Sequence, residues 1–297
     1  MPIISKESEL TPAVLKVMEQ TKEPRLREIM VSLVHHLHSF VRDVQLTEEE
    51  FQNATKLLNK MGQQSNDKHN EFVLMAGSLG ISSLVCLLNN GNNGTTETTQ
   101  SVLGPFWRLN QPTTPQGGTL VRSQTPGPCL YVDLKFIDSN NNPINDLMVD
   151  IWHASPVGLY ENQDDSQTEY NLRGKFCTGS DGKVKFRTVK PIGYPIPTHT
   201  TVGELLNVQN RHPFRPAHIH VLAYKEGYKT LVNQTYVDET ELIESDVQFG
   251  VTNALIGKLQ LHSDPHPEDG DVGDWYSLEH SYTLYEGVSK LPIPPIK

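Results

Sequence analysis

The chain has 297 residues, enough to bury a full hydrophobic core in one large domain or in one domain with an accessory segment. Its 35 acidic and 25 basic residues leave a net charge of -10, and the lysines and arginines are scattered, which weighs against nucleic acid as a partner. The three cysteines, Cys86, Cys129 and Cys177, show no C-x-x-C spacing, which weighs against a disulfide framework and a thiolate zinc site and reads as reduced intracellular thiols.

The first residues, MPIISKESELTP, carry neither a basic n-region nor an apolar h-region. No segment approaches the roughly 20 apolar residues needed to span a bilayer, so a cytoplasmic protein with no membrane partner is expected. Over residues 9–90 the signals are helical: Leu26, Ile29, Met30, Leu33, Leu37, Phe40 and Val41 recur at the three-and-four spacing of one helix face. His35, His36 and His38 lie on that segment, but i, i+1 and i+3 on a helix do not converge on one ion, and they read as helix surface. Thr47 and Glu50 form a capping box that opens a helix through Phe51, Leu57, Leu58 and Met61, with Gly62 marking its end. Residues 72–88 are apolar nearly all round and are expected to be buried between other elements or between subunits. That surplus of apolar surface predicts a subunit contact within residues 9–90.

From Asn89 the sequence turns to NNGNNGTTETTQ, a loop or linker that places a boundary between a helical domain, 1–90, and a second domain, 91–297. Short β signals follow at 129–137, 148–152, 183–188, 218–224 and 231–237, separated by turn clusters such as SNNNP and SDGK. The pattern predicts an α+β protein whose second domain is a β-sandwich with long functional loops. There is no internal repeat, and the terminal KLPIPPIK reads as an extended tail.

The segment R-P-A-H-I-H, residues 215–220, places His218 and His220 at i and i+2 on a strand, so both imidazoles project from one face and can reach one ion. A pair of surface histidines fits the same spacing, and zinc enzymes, cupins and iron enzymes all use such pairs. Tyr160 lies just past an apolar strand, and Tyr194 sits in the proline-stiffened loop Gly193-Tyr194-Pro195-Ile196-Pro197. Taken singly, each is a loop-anchoring aromatic. Beside a histidine pair, however, two phenolates are hard anions suited to a ferric ion.

The ordered set W-H-A-S-P-V-G-L-Y ending at Tyr160, Y-P-I-P from Tyr194 and R-P-A-H-I-H, together with L-G-P-F-W at 103–107, resembles the intradiol ring-cleaving dioxygenases, specifically the catechol and hydroxyquinol 1,2-dioxygenases. The resemblance runs over essentially the whole chain. It implies Fe(III), one per subunit, held by Tyr160, Tyr194, His218 and His220 with water or hydroxide. It also implies a small diol and O2 as substrates, and a helical N-terminal segment that makes a homodimer and encloses a lipid. Arg215 and Gln234 match the arginine and glutamine that the family places beside the metal, Arg215 to stabilise charge on the activated ring. Tyr194 matches the tyrosine that leaves the metal, and Tyr160 the one that stays.

By the same resemblance the substrate pocket includes Leu74, Gly77, Val102, Leu103 and Gly104 on one side. Pro105, Phe106, Ile196, Pro197 and Arg215 complete it. The run Val-Leu-Gly-Pro-Phe is nearer to the hydroxyquinol type. Gly77, in contrast, stands where hydroxyquinol enzymes commonly carry an aspartate, and glycine offers no side-chain acceptor. The expectation is therefore catechol, opened to cis,cis-muconate, with room for hydroxyquinol, opened to maleylacetate, or for pyrogallol. Two other readings share parts of this pattern. A cupin would follow its histidine pair with a glutamate, but Glu226 lies one residue beyond the usual gap and a cupin has no use for the tyrosines. A metal-free sandwich binding a small apolar molecule would be colourless, whereas ferric phenolate absorbs visible light.

Overall fold

Glu23 starts the long helix of the N-terminal region. Its carboxylate accepts the N–H of Arg25 at 2.9 Å and also that of Leu26, while Pro24 fills the first helical position, where no N–H is missed. In the computed structural model, which describes residues 3–66, 69–89, 100–237, 239–270 and 272–295, this helix is α2 (Pro24–Asp43), between α1 (Leu10–Met18) and α3 (Glu48–Gln64). The capping box opens α3 as expected: Thr47 N–H donates to Glu50 Oε2 at 2.9 Å, and Glu50 N–H to Thr47 Oγ1 at 3.2 Å. The helix runs past Gly62 to Gln64, because a helical glycine weakens a helix without ending it.

The apolar stretch 72–88 is two helices, α4 (Glu71–Ser78) and α5 (Ile81–Asn89), bent by 76° about Gly80, whose φ of +72° favours glycine. Burial by the rest of the chain does not hold for it: Val73, Leu84 and Leu88 are 59%, 56% and 68% exposed. The chain divides into compact units Met1–Lys60 and Met61–Lys297, with α4 and α5 in the second. Of the expected linker, residues 90–99 lie outside the described residues. Among the described residues no single helix is long and apolar enough to cross a membrane.

The second unit contains two four-stranded sheets. One orders β4 (Lys183–Val189), β1 (Cys129–Asp138), β10 (Trp275–Leu284) and β9 (Lys258–His262); the other orders β3 (Arg173–Cys177), β2 (Met148–Trp152), β7 (His218–Tyr224) and β8 (Leu231–Tyr236). A two-residue ladder joins β5 (Tyr194–Pro195) to β6 (Phe214–Arg215), and α6 (Thr201–Val208) lies between them in sequence. Leu130, Val132, Leu134 and Phe136 from the first sheet pack with Val149, Ile151, Ile219 and Val221 from the second. This is the interior of a sandwich.

Five strands escaped the periodicity reading: β3, β9, β10 and the two-residue β5 and β6. β3 is Arg-Gly-Lys-Phe-Cys, with charges on its outward positions, and β10 pairs in parallel with β1 far away in sequence. Side chains alternate along β7, so His218, His220 and Leu222 point away from the core while Ile219, Val221 and Ala223 enter it. The register then lines up Arg173, Trp152, His220 and Gln234 across the outer face of the second sheet. That face is covered as well. A second apolar cluster of Trp107, Trp152, Ala154, Tyr160 and Leu222 lies over it, so β7 is buried on both sides.

Candidate metal centre

Two loops bring the tyrosines over the histidine face. After β2 the chain makes a tight turn in which Gly158 N–H donates to the Ser155 carbonyl at 2.8 Å and Ser155 N–H to the Leu159 carbonyl at 2.9 Å. Gly158 has φ +81°, and a Cβ on it would lie 2.9 Å from the Cβ of Tyr194. Glycine is required here for conformation and for close approach of the two tyrosine-bearing segments. Tyr160 is then fixed from behind. Glu161 pairs with Arg173 at 2.6 Å and Arg108 at 3.1 Å, Arg173 also donates to the Phe106 carbonyl at 2.5 Å, and the Phe106 ring lies 4.7 Å from that of Tyr160. Tyr194 is placed by the short ladder, opposite Arg215.

The four side chains converge. Tyr160 Oη lies 3.0 Å from His220 Nε2 and 3.1 Å from Tyr194 Oη, and Tyr194 Oη lies 3.3 Å from His218 Nε2. His218 Nδ1 donates to the Pro216 carbonyl at 2.8 Å, which leaves the Nε2 lone pair facing the phenols. Gly104 keeps the space beside His220 open: a Cβ there would approach Cε1 to 3.0 Å, at φ +74°.

Burial first, and the Arg215 charge second, push His218 well below the usual histidine range. His220 is pushed down by burial, then by its neighbours His218 and Arg215, so both imidazoles are neutral donors. Burial raises Tyr160 well above the usual phenol range; it also raises Tyr194, against the opposing charge of Arg215. Without a further cation the phenols stay protonated.

This donor set fits a single ion. Donors each about 2 Å from a common centre are about 2.8–3.5 Å apart, and the three observed separations fall in that range. Among the described residues no group of three or more His, Cys, Asp or Glu side chains can hold a metal, so the phenols are indispensable to the set. Two neutral imidazoles and two ionisable phenols favour a hard, highly charged cation.

Beside this centre lies a second buried network. Arg215, 4% exposed, donates through Nε to Asp246 Oδ1 at 3.1 Å, and through Nη2 to Gln234 Oε1 at 2.8 Å and Asp246 Oδ2 at 3.0 Å. The Tyr236 hydroxyl lies 2.9 Å from Nη2 and donates to Gln234 Oε1 at 2.8 Å. Gln234 is fully buried, and its Nε2 donates to the Val102 carbonyl at 2.8 Å. Burial opposes the Arg215 charge, but Asp246 outweighs it and holds the guanidinium firmly protonated.

The pocket residues read from sequence divide among these clusters. Leu103 and Phe106 pack with Tyr160 and Tyr194, while Leu74 and Ile196 pack with Met61, Val202 and Val247. Gly77 faces Gln248, Pro105 is exposed and Pro197 half-buried. Sequence reading missed Asp246, Tyr236, Glu161 and Arg173. No short motif links them to the site, since Asp246 lies 31 residues from Arg215.

The fold is a β-sandwich that brings two phenols and two imidazoles together, with a buried arginine network at their side. Residues 102–278 match the family model described as Dioxygenase, and residues 23–96 match the Catechol dioxygenase N terminus. A hydroxyquinol 1,2-dioxygenase of Rhizobium sp. (strain MTP-10005) is 36% identical over 276 residues, 91% of this chain and 92% of that protein. A catechol 1,2-dioxygenase of Candida albicans is 34% identical over 235 residues, 78% of each. The solved hydroxyquinol 1,2-dioxygenase from Pseudomonas putida DLL-E4 superposes with a TM-score of 0.86 at 31% identity, covering 95% of this chain and 99% of that one. The chain belongs to the intradiol ring-cleaving dioxygenases, oxidoreductases of the catechol 1,2-dioxygenase type.

Proposed function

We propose that the protein opens hydroxyquinol between its two adjacent hydroxylated carbons, with both atoms of O2 entering the product, 3-hydroxy-cis,cis-muconate or its tautomer maleylacetate. The observation that carries this reading is the convergence of Tyr160, Tyr194, His218 and His220 beside the buried Arg215. Hydroxyquinol replaces catechol as the preferred substrate because relatives matching 91% and 94% of the chain are hydroxyquinol 1,2-dioxygenases, in line with the Val-Leu-Gly-Pro-Phe run. Catechol, the substrate named for the Candida albicans relative, is the second reading.

A ferric ion held by the four side chains would supply the Lewis acidity that binds both diol oxygens and makes the ring reactive toward dioxygen. Tyr194, half-buried on a two-residue strand, is the phenol free to turn and take a proton from the entering diol. Tyr160, 2% exposed and backed by Glu161 and Arg173, stays in place. Arg215, held by Asp246 and Gln234, presents fixed positive charge to the ring as it becomes electron-rich. The exposed apolar residues of α5, among them Leu84 and Leu88, supply a surface for a homodimer.

The test is oxygen uptake with kcat/KM for hydroxyquinol, catechol and pyrogallol, alongside iron analysis. The expected result is one O2 per ring opened, about one iron per chain and the highest kcat/KM for hydroxyquinol. A higher value for catechol would reverse the substrate order, and turnover of none of the three would overturn ring cleavage itself.

A further inference from the structure

Gly77 leaves a gap on α4 that another residue fills. A Cβ at this position would lie 2.6 Å from Gln248 Oε1, 2.7 Å from Cδ and 3.0 Å from Nε2, so the carboxamide of Gln248 occupies the volume that a side chain at 77 would take. The segment carrying Gln248 is anchored at the arginine. Asp246 pairs with Arg215, and a Cβ on Gly250 would lie 2.9 Å from Arg215 Nη2, so the backbone passes directly beside the guanidinium. Gln248 itself is fixed by its backbone: its N–H donates to Asp246 Oδ1 at 3.2 Å, and its carbonyl accepts from the Ser83 hydroxyl at 3.0 Å.

Its carboxamide has no hydrogen-bond partner among the described residues. Leu74 and Met75, on the same helix as Gly77, pack in an apolar cluster with Ile196 and with Val247, the residue before Gln248. A half-buried amide beside such a cluster is a polar group prepared for a ligand, because leaving its donor and acceptor unmet is costly once water is displaced.

We propose that Gln248 is the polar specificity determinant of the ring pocket, taking the place of a side chain at Gly77 and hydrogen-bonding a third hydroxyl on the diol ring. This rests on the ring-cleavage reading and deepens it. The carboxamide can accept from that hydroxyl through Oε1 and donate to it through Nε2. A ring without the third hydroxyl displaces water from the amide and returns nothing.

The experiment compares the ratio of kcat/KM for hydroxyquinol to that for catechol in the iron-loaded wild type, Gln248→Leu and Gln248→Glu. Leucine keeps approximate volume without polarity, and glutamate keeps shape and an acceptor. A lost hydrogen bond that strands the substrate hydroxyl corresponds to about a tenfold drop in the ratio for Gln248→Leu, with Gln248→Glu retaining it. Anaerobic titration of each diol, followed by the visible band, should show the same selective loss in affinity. An unchanged ratio in Gln248→Leu, or an equal fall in Gln248→Glu, overturns the assignment. If the wild type consumes oxygen with neither diol, the ring-cleavage reading fails first; if it turns over both and only the variant ratio disagrees, Gln248 alone is wrong.

Discussion

Replacing Asp246 by asparagine tests whether the buried arginine depends on its carboxylate partner. In the wild type the carboxylate accepts from Arg215 Nε and Nη2 and from the N–H groups of Gln248 and Gly250, at 2.9 to 3.2 Å. Asparagine preserves the shape but turns one acceptor into a donor, which must then face another donor, and it leaves the guanidinium uncompensated where it is 4% exposed. Breaking a buried ion pair in this way costs about 3–5 kcal/mol, which for a domain of this size lowers the unfolding midpoint by about 6–20 °C. The assay is thermal and urea unfolding of the metal-free protein, with iron-loaded turnover measured in parallel. Burial works to raise the Asp246 carboxyl, but Arg215 and the two backbone donors outweigh it and hold the net value low. The stabilisation is therefore complete above the usual carboxylate range and is lost as pH falls through the folded value. Asp246→Asn should be less stable than wild type at neutral pH and converge with it in acid. A loss below about 1 kcal/mol at neutral pH, the scale of an exposed pair, would refute the reasoning.

Tyr160→Phe and Tyr194→Phe should each weaken the visible ferric charge-transfer band, since each removes a phenol from the converging set; unchanged spectra in both would remove them as ligands. Arg215→Leu should lower kcat by about two to three orders of magnitude, the cost of one preorganised donor at a developing anion, and single-turnover reaction with oxygen at the wild-type rate would contradict this. His153 is buried between Thr188 and the Ala154 carbonyl, and burial pushes it down to about 4. Unfolding raises its affinity for protons, so stability is full above neutrality and falls on acidification, by up to about 3 kcal/mol at pH 4. His153→Gln should flatten that slope by one proton, and an unaltered slope would exclude the histidine as its source.

Much of the local structure was legible because it depends on near neighbours in the chain. The Thr47–Glu50 box opens α3, and the alternation of His218-Ile219-His220 places both imidazoles on one face of β7. The bounds 148–152 and 218–224 match β2 and β7 residue for residue. The tyrosines were named by motif, and their convergence with the histidines became visible only when the loop after β2 and the β5–β6 ladder brought them within 3.0 to 3.3 Å. Strand β3 hid behind its charges, which a half-exposed strand would turn to water; here Arg173 is instead buried against Glu161. Gln234, which a strand reading leaves facing solvent, is closed in by Arg215 and Val102. The empty position at Gly77 was readable as a missing acceptor, but not as a place filled by Gln248, 171 residues further on by subtraction of the two positions. Sequence alone determined the capped start of α3, the strands with clear alternation and which of their side chains share a face, because periodicity and capping act over a few residues. Tertiary structure decided which polar groups meet, because burial brings together residues distant in the chain and makes an unpaired charge costly.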